Sequence, residues 1–210
     1  MDSGAAPGGA SLASRSFGAL IHVKPATGHP GRDCGIVTDL LRHALALAYL
    51  MAPAYLANMA PPFVRYWRGW NRPIHARLLG THKTVVGAAL GIAVALLATA
   101  VQAAVSGLPV CAGLARVDYR YWPLLGLGFG VGSMAGDSIK SLFKRRLKIA
   151  PGAPWVPFDQ LDFALGSLLL VGPWAKLSVT DMGLILAVTF VGDLAVNRMA
   201  FRLGIKRSPW

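Results

Sequence analysis

Long apolar runs separated by short basic clusters fill most of this chain, and they predict five membrane-spanning helices. The first covers Val37–Ala60, with Pro53 inside it and Asn58 near its end. Proline bends a spanning helix and removes one backbone donor, which bilayer proteins tolerate beside polar cavities. The second, Val85–Val105, is interrupted by Thr99 and Gln102 and is about 30 Å long at about 1.5 Å per residue. The third covers about Tyr121–Phe143, the fourth about Phe158–Trp174 and the fifth about Val179–Val196. Residues 1–36 are rich in Gly, Ala, Ser and Pro and lack the apolar core of a secretory signal, so they read as an irregular or disordered tail. Residues 37–210 then form one all-α transmembrane domain with short cytoplasmic loops.

Polar residues inside this frame collect between Gly126 and Gly166. On a helix, Asp137, Lys140, Ser141 and Lys144 fall at i, i+3, i+4 and i+7 and share one face, while Gly128, Gly132 and Gly136 share another. The glycines let a neighbouring helix approach closely, in a dimer as well as within the chain. The rise from Asp137 to Lys144 is about 10 Å, comparable to a nucleotide triphosphate. Asp159 and Asp162 share a face just after Pro157, at the start of the fourth apolar run. Ionisable groups at the mouth of a span are costly, so a functional role with charged partners is expected; the alternative is that both merely cap a helix N-terminus. One face could hold a metal ion at one end and phosphates along the rest.

Composition agrees with a bilayer protein: 54% of the 210 residues are hydrophobic, and mean hydropathy is +0.50. The net charge of +12 follows from 21 Lys and Arg against 9 acids, all of them Asp. Short carboxylates suit tight metal geometry, and a GC-rich coding bias gives the same composition. The loop from Phe63 to Lys83 interleaves Arg65, Arg68, Arg72 and Arg77 with Tyr66, Trp67 and Trp70, which next to a span marks the headgroup level and not a nucleic-acid surface. Basic residues also dominate the third loop, where Lys144, Arg145, Arg146 and Lys148 continue the third helix up to Pro151, and the tail with Arg198, Arg202, Lys206 and Arg207. These segments are therefore expected in the cytoplasm and the N-terminus outside, as for a multi-pass protein of the cell inner membrane. Lys83 and Thr84 open the second span, where free backbone N–H groups and a cation suit a phosphate. LLGTHKT lacks the P-loop spacing, and GLGFGVG lies within an apolar helix and not after a strand, so neither is a known nucleotide fingerprint. Cys34 and Cys111 show no metal spacing and both fall on the outer side, where a disulfide is open.

Two long polar blocks carry a family resemblance. The order G-D-x-x-K-S-x-x-K-R-R from Gly136 to Arg146, then P-G-x-P-W-x-x-F-D-Q-x-D-F from Pro151 to Phe163, resembles the CDP-archaeol synthases. P-A-Y-x-A-N from Pro53 to Asn58, L-G-x-x-K-T from Leu79 to Thr84 and N-R-x-A-x-x-L-G from Asn197 to Gly204 support it, so the match runs from about Leu41 to the C-terminus. The resemblance implies a membrane enzyme that joins CTP to a lipid phosphate, either an isoprenoid ether lipid phosphate or phosphatidic acid, giving a CDP-lipid and pyrophosphate with Mg2+. It implies that Asp137, Asp159 and Asp162 hold metal, and that Ser141, Arg145, Lys140 and Lys144 contact triphosphate. Asn58, Lys83 and Thr84 complete the nucleotide pocket, and Asp137, Lys140, Lys144 and Asp162 form the catalytic set. His82, Val85 and Val86 depart from the family pattern, as do Gly192 and Asp193 where His and Pro are more usual. No general base is expected, because the lipid phosphate is already ionised; His43, His75 and His82 read as interfacial. The rival readings are a small ion transporter and a non-catalytic lipid-binding scaffold.

Overall fold

The computed structural model describes residues 30–64, 71–150 and 153–204, with side chains from Val37 onward in the first of these. The tail of residues 1–29, the Cys34 side chain and its pairing, the stretch Arg65 to Trp70, Pro151, and Lys206, Arg207 and Trp210 lie outside the described residues.

The chain is all helical. Helices α1 (Pro30–Met59), α2 (Ala76–Leu79), α3 (Val85–Val105), α4 (Pro109–Ala112), α5 (Trp122–Arg146), α6 (Phe158–Ala175) and α7 (Val179–Arg202) follow in order, with single 3-10 turns at Pro61–Val64 and Tyr119–Tyr121. Residues 30–36, expected to be irregular, belong to α1. Val37–Val64, Val85–Val105 and Val179–Arg202 are long and apolar enough to cross a membrane. α5 and α6 are not among these three, because Gly126, Gly128, Gly130, Gly132, Gly136 and Asp137 dilute the apolar run of α5, and α6 begins with Asp159 and Asp162.

α5 sits at the centre, packed on α6, α3 and α1, while α7 leans on α6 and α1. Gly132 and Gly136 make the α5–α6 contact possible. A Cβ on Gly132 would stand 2.7 Å from Ser167 Cα, and one on Gly136 would collide with the Asp162 carbonyl. Gly128 also faces α6, against Val171. The whole glycine face is thus spent on packing within the chain. Phe129, Leu47, Leu50, Met51, Leu168 and Ile185 fill the core around it.

Pro53 lies buried in the middle of α1 and cannot donate to the Tyr49 carbonyl one turn earlier. Gln102 of α3 supplies the missing donor, its Nε2 standing 2.6 Å from Tyr49 O. At the end of the bundle away from Asn58, Arg116 donates to His43 Nδ1 at 2.5 Å, and His43 Nε2 donates to Asp181 Oδ1 at 2.6 Å. Asp181 also closes a capping box with Ser178 at the start of α7, so this relay ties α7 to α1. α5 ends before Pro151: Lys148 adopts φ 56, and the Ile149 and Lys148 N–H groups take up the Lys144 and Arg145 carbonyls at 2.9 and 3.1 Å.

Candidate active site

The close approach of α5 and α6 brings three carboxylates around one ammonium. Lys140 Nζ lies 2.7 Å from Asp162 Oδ2, 3.2 Å from Asp137 Oδ1 and 3.4 Å from Asp159 Oδ1. Lys83 pairs with the other Asp137 oxygen, and Lys144 Nζ sits 3.0 Å from Asp159 Oδ2 while donating to the Ala153 carbonyl at 2.6 Å. The Asp162 side chain is only 5% exposed, so without Lys140 its charge would be buried alone.

Local structure fixes each member. Residues 72–85 fold back on themselves through Ile74 N to Lys83 O at 2.8 Å and Val85 N to Arg72 O at 3.1 Å, which sets Lys83 at the mouth of α3. Thr84 is the N-cap of α3, its Oγ1 accepting from Gly87 N at 3.1 Å. Ser141 donates to the Asp137 carbonyl of its own helix at 2.9 Å. Asp159 Oδ2 accepts from Trp155 N at 2.7 Å, which holds the turn before α6 in place. The N-cap of α6 is Pro157, without a side-chain hydrogen bond. Asp159 and Asp162 are therefore held by the lysines and are not the helix caps of the alternative reading.

Three cavities open around this cluster. One of about 500 Å³ lies under the folded-back loop, lined by Asn58, Asn71, Thr81, Lys83, Thr84 and Asp137. A second of about 200 Å³ is lined by His82, Lys83, Lys140, Ser141, Lys144 and Arg145, with Asp159. The Arg145 guanidinium rests on Gly80, where a Cβ would stand 3.1 Å from Nη2. The third, about 310 Å³, reaches from Asn58, Lys140 and Lys144 to Gln160 of α6 and Asp193 and Asn197 of α7. Every expected site residue thus lines a cavity or joins the ion cluster. Sequence reasoning gave no site role to Asn71, Gln160 or Asp193; the signal available was a polar pair, Asp193 and Asn197, one turn apart in the second half of α7.

A family model described as CarS-like, CDP-archaeol synthase, matches residues 37–210. The chain belongs to the CDP-archaeol synthase family. It is 35% identical over 174 residues to a CDP-archaeol synthase of Methanosphaerula palustris, covering 76% of this chain and 100% of the relative. A CDP-archaeol synthase of Methanococcoides burtonii is 34% identical over 179 residues, with coverage of 76% and 100%. A solved structure described as an intramembrane enzyme for archaeal membrane lipids biosynthesis superposes with a TM-score of 0.59 at 29% identity, covering 71% of this chain and 90% of that one. With the family, the chain is an integral membrane, CTP-dependent lipid cytidylyltransferase.

Among the described residues no three carboxylates, imidazoles or thiols stand ready-grouped as metal ligands. The donor set fits magnesium in its chemistry all the same: Asp137, Asp159 and Asp162 offer hard oxygens only and surround one cationic position, in which Lys140 stands.

Proposed function

We propose that this protein transfers the cytidylyl group of CTP to the phosphate of an isoprenoid ether lipid, forming a CDP-lipid and releasing pyrophosphate. The reaction takes place at the cytoplasmic face of the membrane, where the basic ends of α5 and α7 lie, and residues 37–210 form the catalytic domain. The observation that carries this reading is the gathering of Lys83, Lys140 and Lys144 with Asp137, Asp159 and Asp162 beside the basic cavity under Arg145. The name shared by the relatives favours an archaeol-type acceptor over phosphatidic acid.

Two anions must meet, so neutralising charge is the first task of the site. Lys83, Lys144 and Arg145 hold the triphosphate and stabilise the charge that grows on the departing pyrophosphate. Lys140 orients the acceptor phosphate, whose ionised oxygen attacks the α-phosphorus without a general base. Asp137, Asp159 and Asp162 would hold magnesium, which when bound supplies charge neutralisation between the two phosphates. Asn58, Asn71 and Thr84 border the remaining nucleotide space.

Pyrophosphate release and CDP-lipid formation by the purified protein with CTP and magnesium test this, using an isoprenoid ether phosphate and phosphatidic acid in turn. Turnover with the ether lipid is expected. Turnover with phosphatidic acid alone would overturn the acceptor, and no turnover with either by folded protein would overturn the reaction.

A further inference from the structure

Between Pro53 and Asn58 of α1, Tyr55 reaches two other helices at once. Its hydroxyl shares a hydrogen bond of 2.8 Å with Thr189 Oγ1 of α7. Its ring meets Phe163 of α6 edge-on, with centroids 5.8 Å apart and planes at 70°, an arrangement that aromatic quadrupoles favour. Both contacts lead to the ion cluster. Phe163 is buried, and its backbone N–H donates to Asp162 Oδ1 at 2.7 Å, which leaves Oδ2 for Lys140. Thr189 lies one turn before Asp193, which lines the third cavity together with Lys140 and Asp162. Tyr55 itself lines none of the three cavities, so any effect it has on the reaction passes through these neighbours.

α7 meets the bundle along a narrow line, since 11% of its most apolar stretch is buried. Asp181, Ile185, Thr189, Asp193 and Asn197 follow at steps of four and form one ridge, and Ile185 and Thr189 are its buried members. No hydrophobic force drives helices together within a bilayer, so a hydroxyl pair in this ridge fixes a register that apolar side chains alone would let slide. We propose that Tyr55 is a positioning residue for the reaction. Its ring holds Phe163, and through it the Asp162 carboxylate, in register with Lys140, while its hydroxyl holds α7 at the edge of the same cavity. This deepens the site assignment made above and rests on it.

The test is steady-state kinetics of CDP-lipid formation by the full chain in detergent, beside thermal unfolding of the same samples. Tyr55→Phe and Thr189→Val should each lower kcat about fivefold with the KM for CTP within about twofold of wild type, and the double variant should lose no more than either alone. Thr189→Ser keeps the hydroxyl and should keep kcat. Tyr55→Leu also removes the ring and should lower kcat by about fiftyfold. Asp181→Ala loosens α7 at its other end, where it meets His43, and should lower the unfolding temperature with kcat unchanged. A fall in kcat in Asp181→Ala matching that in Tyr55→Phe, or losses that multiply in the Tyr55→Phe, Thr189→Val pair, would overturn the proposal. The link to Asp162 is also read without turnover: Lys140→Met should lower the unfolding temperature less in a Tyr55→Leu background than in the wild-type chain. Equal lowering would overturn the proposal. Wild-type protein that makes no CDP-lipid yet shows the smaller lowering would sink the reaction and leave the positioning role standing; full turnover with equal lowering would do the reverse.

Discussion

Gly136 of α5 lies directly against the backbone carbonyl of Asp162 in α6, and one turn further along α5 Lys140 reaches the Asp162 carboxylate at 2.7 Å. The ion cluster therefore depends on a missing side chain. Gly136→Val must push two helix backbones apart, and overpacking of this kind costs about 1–3 kcal/mol. We expect a lower unfolding temperature in detergent and turnover reduced at least about tenfold, since Lys140 loses its register. Gly183→Ala on α7, where a Cβ meets nothing within 4 Å, is the control and should leave both unchanged.

Asp137→Ala and Asp162→Ala are expected to abolish CDP-lipid formation while the protein still inserts, as read by product analysis on membrane fractions. Full activity in both would contradict the assignment of the site.

Lys140→Met leaves three carboxylates without their shared partner. Breaking a buried charge cluster in this way costs about 3–5 kcal/mol. Adding Asp162→Asn removes one of the stranded charges, so the double variant should unfold at a higher temperature than Lys140→Met alone, without regaining turnover. Additive losses in the two variants would show that the pair is not coupled.

Arg145→Ala should raise the KM for CTP by about tenfold with a smaller change in kcat, because the guanidinium lines the basic cavity and rests on Gly80. Arg145→Lys should recover only part of that affinity, having charge without the planar fork. Steady-state kinetics at varied CTP reads both.

Gln102→Leu strips the donor from the Tyr49 carbonyl that Pro53 leaves open, at a cost of about 1–3 kcal/mol. In a Pro53→Ala background residue 53 supplies its own N–H, so the same substitution should cost much less. Equal costs in both backgrounds would disprove the link.

Much of this was legible in the sequence. The glycine spacing in α5 foretold a close neighbour, and the helical offsets of Asp137, Lys140, Ser141 and Lys144 foretold a charged face. What periodicity could not show was partner choice. Asp159 and Asp162 looked equally able to cap α6 or to bind charge, and only the placement of Lys140 and Lys144 across from them decides it. Spacing puts Thr84 and Ser141 at the site, but it does not show that Thr84 Oγ1 accepts from Gly87 N or that the Ser141 hydroxyl donates to its own helix. The role of Gln102 depends on Pro53, a residue on another helix, so no local pattern reveals it. Asp193 stayed hidden because α7 packs loosely and its polar pair becomes visible as a cavity wall only once α6 and α7 are placed together.

Lys140 standing among three aspartates means that this protein carries its own counter-ion in store. The cluster is held near neutrality by residues of the chain itself, Lys83, Lys140 and Lys144 against Asp137, Asp159 and Asp162. In the proposed reaction, substrate would therefore meet charges that are already paired with one another, and not an open hole.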